Sequence, residues 1–257
     1  MINSIKIDLK MLFRVPLSIF FTLVFPIIIM LIMVISYGNI EIGDGAKLID
    51  KYMLITIGMG IAPLTLISLP MWIGNSSDKD YLKRLIYLHV DLKKIIVSNI
   101  IAHFIIGLLG IVINIIVAYA LFGLSFPSIQ YFLSYSLQVS LCLLIMMLVG
   151  AVLGFTIRNS QILMPLGLVL TFIIYMFSGA FVDYSQLPKV FNQISKYIPL
   201  KYIMNDSFNT WVEKTIWPEG YILICLVYFV LTVIVLYFSF KKWMKFKVYE
   251  KGDNAHE

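Results

Sequence analysis

The three longest runs without Asp, Glu, Lys or Arg constrain this chain more than any other feature. They cover residues 15–40, 52–77 and 95–157. About 20 apolar residues cross the hydrocarbon core of a bilayer as an α-helix, so each of the first two runs fits one span and the third fits two. Only 13% of the residues are charged, against about a quarter in soluble domains. The pattern predicts a polytopic membrane protein.

Clusters of Gly, Ser, Pro and charged residues divide the apolar runs and predict an all-α fold with six spans. The third run is divided at residues 123–128, and a short polar turn at 158–161 precedes the fifth span. Pro63 and Pro70 predict that the second span is bent and closely packed. The predicted spans are 17–37, 52–73, 95–122, 132–155, 162–181 and 219–240, within a single transmembrane domain over residues 1–257.

The distribution of positive charge predicts the orientation in the membrane. With both termini inside, fourteen of the twenty Lys and Arg residues lie on the cytoplasmic side. Cytoplasmic loops of membrane proteins carry an excess of Lys and Arg. We therefore expect a multi-pass protein of the cell membrane with cytoplasmic termini, a cytoplasmic segment 75–94 and an external segment 183–218.

The first fourteen residues alternate basic and apolar positions at helical spacing. This pattern favours an interfacial helix along the inner leaflet, with its lysines near anionic lipid head groups. A disordered basic terminus is the alternative. The apolar positions that share one helical face are Ile5, Leu9, Leu12 and Phe13.

Segment 75–94 is amphipathic when it is read as a helix. Leu82, Leu85 and Ile86 share one face, and Lys83 and Arg84 lie beside it. A short helix of this kind lies on a membrane surface or docks into a groove of another protein. A solvated loop whose lysines only set the topology is the alternative.

Segment 183–218 is too polar for a span and too apolar for a free loop. An apolar stripe follows Pro188, and Pro199 ends it. Two short helices that re-enter the outer leaflet and are buried in protein satisfy both constraints. An external loop lying flat on the bilayer is the alternative.

The sequence does not contain the residue patterns that several kinds of chemistry require. The sequence has no phosphate-binding G-x-x-x-x-G-K-[ST] loop, and its histidines and cysteines form no metal-ligand pattern. No carboxylate or other charge lies at a span centre, which argues against an ion-coupled carrier. His103, in the third span, is expected to be neutral and hydrogen-bonded to a neighbouring helix. Cys142 and Cys225 are interpreted as small buried residues.

The order of these segments resembles the permease subunits of ABC-2 type transporters, which have the type V exporter fold. The strongest local match is segment 177–211, in which the pair Leu187-Pro188 is followed by Pro199-Leu200-Lys201-Tyr202. The first cytoplasmic loop of that family carries an Arg-Glu-x-Gly-Thr-like run, and here residues 77–83 lack its glycine.

The resemblance implies a transport subunit without an ATPase site of its own. A separate ABC subunit would bind ATP and Mg²⁺, a second permease subunit, identical or different, would complete the pathway, and neither a cofactor nor nucleic acid would bind this chain. The implied coupling helix, which docks on the ATPase, comprises Tyr81, Leu82, Lys83, Arg84, Leu85 and Ile86. The implied external gate comprises Leu187, Pro188, Phe191, Pro199 and Tyr202.

The leading functional prediction is export of an amphiphilic or hydrophobic substrate, such as a drug, an antimicrobial peptide or a lipid-like molecule. The first, second and fifth spans offer Phe, Met, Ile and Tyr with few polar groups, which suits apolar cargo. Export of this kind could confer antimicrobial resistance. Two alternatives stay open: a permease of a polysaccharide exporter, and a membrane immunity or sensor protein that transports nothing. An intramembrane enzyme is disfavoured because a catalytic set is missing.

Overall fold

The computed structural model describes residues 2–13, 19–43, 45–76, 92–157, 159–181, 186 and 188–253. Within these ranges, six helices are long and apolar enough to cross a membrane. This confirms the prediction of an all-α polytopic membrane protein. The spans, first to sixth, are Phe20–Tyr37, Leu48–Ser76, Lys94–Phe122, Ile129–Ile157, Ser160–Phe177 and Tyr221–Lys241.

Some span ends differ from the predicted bounds for local reasons. The fifth span ends at Phe177, four residues early, because Gly179 has a φ of 73°, which stops a right-handed helix. The second span begins at Leu48, four residues early. There the Asp50 carboxylate accepts a hydrogen bond from the backbone N–H of Lys47 at 2.7 Å, which stabilises the first helical turn.

Three connections meet at one end of the bundle, called here the upper end. They are residues 38–47, 123–128 and 178–220. Asn39 Nδ2 donates a hydrogen bond to the Phe122 carbonyl at 2.8 Å, and the Ser125 N–H donates to Asp50 Oδ1 at 3.0 Å. The backbone N–H of Ser128 bonds the Glu213 carboxylate. The opposite, lower end carries the N-terminal helix.

The first upper connection contains a small hairpin. Strands β1 (Glu41–Gly43) and β2 (Ala46–Lys47) pair antiparallel, with Glu41 opposite Lys47. The Leu48 N–H then donates to the Ile40 carbonyl at 2.9 Å. The hairpin therefore fixes where the second span starts.

The second span is the centre of the bundle. In its most apolar stretch 89% of the residues are buried, whereas the other spans range from 11% for the sixth to 50% for the fourth. A helix that is buried on all sides contacts no lipid, so protein packing alone decides its conformation. The helices around it leave their outer faces for lipid or for other protein chains.

The N-terminal helix, Ile2–Phe13, packs against the third span. Asp8 is buried there and accepts a hydrogen bond from the Ser98 hydroxyl at 2.6 Å, and Leu12 is buried beside it. Phe13, which the helical spacing grouped with Leu12, is instead 56% exposed. The buried carboxylate turns the helix so that this aromatic ring faces outward.

Candidate functional site

A cavity of about 370 Å³ opens in the lower half of the bundle, between the N-terminal helix and the first, second and fifth spans. Phe21, Met71, Trp72, Met164 and Leu168 supply much of its wall. These are large, apolar and partly flexible side chains. A site of this size and lining accommodates a small apolar or amphiphilic molecule.

Few polar groups interrupt the wall of this cavity. Ser68 and Asn75, both on the second span, are the two polar side chains among the lining residues that the structure describes. Ser68 Oγ lies 3.1 Å from His103 Nε2. His103 Nδ1 lies 3.0 Å from the Asn99 carbonyl, which only accepts, so Nδ1 carries the proton and the neutral ring accepts from Ser68. The expected hydrogen bond between His103 and a neighbouring helix is therefore observed.

Proline in the second span creates an unusual contact directly above the cavity. Pro63 has no N–H to donate to the carbonyl four residues earlier, which is that of Met59. The Tyr175 hydroxyl, from the fifth span, donates to this carbonyl at 2.5 Å. The second and fifth spans, which both line the cavity, are therefore joined above it by a hydrogen bond that sequence periodicity could not show.

Glycines of the fourth and fifth spans pack on the backbone of the second span near the same prolines. A Cβ added at Gly167 would overlap the carbonyl oxygen of Leu66, whose α-helical donor would have been Pro70. A Cβ added at Gly150 would overlap the Thr65 carbonyl oxygen. Small residues of this kind allow backbones in a membrane to approach closely.

Two short helices follow the fifth span at the upper end, and prolines start both of them. Pro188 precedes the helix Lys189–Ser195, and Pro199 occupies the first turn of a bent helix over residues 199–211. Pro199 suits the first helical turn because its fixed φ is helical and its missing N–H is not needed there, whereas Pro188 precedes its helix with an extended ψ of 148°. The predicted division of this segment at the two prolines is therefore observed.

The two short helices are held in different ways. The Phe191 ring of the first stacks on Phe177 at the end of the fifth span, with centroids 4.8 Å apart. Tyr202 of the bent helix donates its hydroxyl to the Lys196 carbonyl at 2.8 Å, which ties the two helices together. Leu187 lies outside the described residues.

The bent helix is inserted into the bundle, whereas the first short helix is mostly exposed. Met204 packs closely against Gly58 of the second span. A Cβ added to Gly58 would lie only 2.5 Å from the Cγ atom of Met204. Lys201, buried in the same helix, forms an ion pair with Asp206 at 2.5 Å. Burial raises the pKa of the Asp206 carboxyl, and the hydrogen bond and charge of Lys201 oppose that rise.

Gln138, buried in the fourth span, connects three elements at the upper end. Its side-chain amide donates to the Ile216 carbonyl at 2.9 Å and accepts from the Ser207 hydroxyl of the bent helix at 2.7 Å. The Tyr221 hydroxyl of the sixth span donates to its backbone carbonyl at 2.6 Å. The sequence analysis missed this residue. The sequence feature that could have identified Gln138 is an isolated side-chain amide in an apolar run, with Ser134 one helical turn earlier.

The coupling residues inferred from the resemblance, Tyr81 to Ile86, lie outside the described residues. The flanking helices end at Ser76 and begin at Leu92, and the two contact each other. The interval between them, which contains the coupling residues, therefore starts and finishes at the lower end, below the apolar cavity.

Comparison with known proteins agrees with this architecture. A search of curated proteins finds no match for the chain. The family model for the ABC-2 type transporter matches residues 4–207, from the N-terminal helix into the bent upper helix. The match covers most of the chain, including the first five spans. The chain therefore belongs to the ABC-2 type transporter family, and it is a membrane permease subunit of an ABC transporter.

Proposed function

We propose that this permease exports an amphiphilic or hydrophobic molecule, such as a drug, an antimicrobial peptide or a lipid-like compound. The observation that carries the proposal is the cavity of about 370 Å³ with its apolar wall. Its side chains offer dispersion contacts and almost no hydrogen-bonding groups. A sugar chain would lose its water hydrogen bonds there without replacement, which disfavours polysaccharide as cargo.

The transport cycle requires partners that the family implies in general. A separate ABC subunit binds ATP and Mg²⁺, and a second permease subunit completes the pathway. The coupling residues in segment 81–86 carry the movement of the ATPase to the second and third spans, which flank them. The upper helices, with Phe191 and Tyr202 as anchors, act as the gate on the external side.

The first test fills the cavity. Leu168→Trp adds a large ring to the cavity wall and should lower both substrate-stimulated ATP hydrolysis and dye transport at least about tenfold, because a loss of about 1.4 kcal/mol in substrate binding is tenfold in affinity. The measurement uses the permease reconstituted with its ATP-binding subunit, a hydrophobic rhodamine dye, an amphipathic cationic peptide and a fluorescent phospholipid.

Leu226→Trp is the matched control for this test. Leu226 lies on the sixth span, is exposed on the outer face of the chain and does not line the cavity. We expect this variant to transport as the wild type does. Equal transport by Leu168→Trp would contradict the cavity as the substrate site. ATP hydrolysis that only polysaccharide stimulates would favour the polysaccharide exporter, and substrate binding without transport would favour a sensor.

The second test concerns orientation and the gate together. With the lower end cytoplasmic, an impermeant maleimide should label Lys196→Cys in intact cells but should not label Lys83→Cys until the cells are opened. Lys196 is exposed beside the first upper helix, and both native cysteines are buried, so background labelling is low. Labelling of Lys83→Cys from outside would overturn both the orientation and the external gate.

A further inference from the structure

A second, much smaller cavity lies where the first three spans meet, separate from the substrate cavity. Its volume of about 10 Å³, measured for the centre of a water-sized sphere, suits one water molecule. Thr22 of the first span, Thr56 of the second and Asn114 of the third line it. All three residues are buried, so their polar atoms are shielded from bulk water.

Two polar atoms at this cavity lack a partner. Neither Thr22 Oγ1 nor Asn114 Nδ2 has a hydrogen-bond partner among the described residues. Asn114 Oδ1 lies 3.3 Å from Thr56 Oγ1, whose single proton also has the nearer Tyr52 carbonyl as an acceptor at 2.9 Å, so the Asn114 amide keeps at least one polar atom for a further partner whichever way it is turned. A buried polar atom without a partner costs free energy, and within a bilayer no lipid tail can supply the missing hydrogen bond.

The backbone of the first span adds a third polar group. The α-helical donor to the Thr22 carbonyl would be Pro26, which has no N–H. This carbonyl faces Gly60 and Gly110, where added Cβ atoms would lie 2.9 Å and 3.3 Å from its oxygen. Both glycines also line the cavity. The missing side chains therefore let this carbonyl, which has no α-helical donor, approach the second and third spans closely beside the cavity.

We propose that this cavity holds one ordered water molecule, which bonds the side-chain amide of Asn114 and Thr22 Oγ1. These two groups and the Thr22 carbonyl match the two to four polar partners of a buried water, about three being typical. The water joins the first span to the third, and the described residues of these spans share no direct side-chain hydrogen bond. The water supplies hydrogen bonds to these polar groups at a depth where the bilayer offers no hydrogen-bond partner.

A matched pair of substitutions distinguishes a wet cavity from a dry one. Thr22→Val removes the hydroxyl at nearly constant volume, and with the water bound it lowers the Tm of the purified full-length permease in detergent by about 2–4 °C. Thr171→Val is the control. Thr171 is as buried as Thr22 and its hydroxyl also lacks a partner, but it lines neither cavity. Removing that unpaired hydroxyl leaves the Tm unchanged or raises it.

Direct observation provides a second measurement. A cryo-EM map of the transporter that resolves ordered waters shows a peak about 2.7–3.2 Å from both Asn114 Nδ2 and Thr22 Oγ1. An unchanged or raised Tm for Thr22→Val overturns the proposal. A map with ordered waters elsewhere in the bundle and none between these two atoms does the same.

Discussion

Gly150→Ala is expected to abolish accumulation of the folded permease in the membrane. The added Cβ would overlap the carbonyl oxygen of Thr65, which belongs to the backbone of the most buried span. Overpacking costs about 1–3 kcal/mol where side chains can yield. Backbone atoms in the central helix of the bundle yield less, so we expect a larger loss of stability.

Gly107→Ala is the control for this prediction. A Cβ there would meet side-chain atoms of Leu143, the nearest at 2.7 Å, and of Leu64, all of which can change rotamer. We expect this variant to insert and to show a Tm only slightly below that of the wild type, measured by thermal denaturation in detergent. If the two alanine variants accumulate to the same level and have the same Tm, the inference that the second and fourth spans approach closely at Gly150 is wrong.

The number of spans could be predicted from the sequence because an unpaired charge in hydrocarbon is costly and leaves a clear gap in the charge pattern. Their arrangement could not be predicted in the same way. The second span has the lowest mean hydropathy of the six, 1.8 against 1.9 to 2.8, so hydropathy gave no sign that it is central, and only Pro63 and Pro70 indicated close packing. That 89% of it is buried follows from contacts with helices far along the chain.

The candidate site was predictable where local chemistry decides the structure. Pro188 and Pro199 divide the upper segment into two short helices as expected, because proline acts on its own backbone. The bond from Tyr175 to the Met59 carbonyl joins residues 116 positions apart, so no local pattern contains it. Gln138 was overlooked because an uncharged amide is tolerated in a span, and its role depends on three distant partners, Ser207, Ile216 and Tyr221.

The double substitution Leu82→Ala and Leu85→Ala is expected to release the ATP-binding subunit during purification and to abolish transport. In a helix these two leucines and Ile86 form the apolar face of segment 81–86. Buried anchors at protein interfaces each contribute about 2 kcal/mol or more. Losing two would weaken docking about a thousandfold. Insertion should be normal, because no span is changed.

The matched double variant Lys83→Ala and Arg84→Ala separates docking on a protein from binding to the membrane surface. Anionic head groups attract each basic residue with about 1 kcal/mol, so a helix held by lipid would depend on Lys83 and Arg84 more than on the leucines. A helix held in an ATPase groove would depend on the leucines. Retention of a full complement of ATPase and of transport by the leucine variant would show the coupling assignment to be wrong. The N-terminal helix or the turn at residues 158–161, both at the lower end, would then be the segments to test.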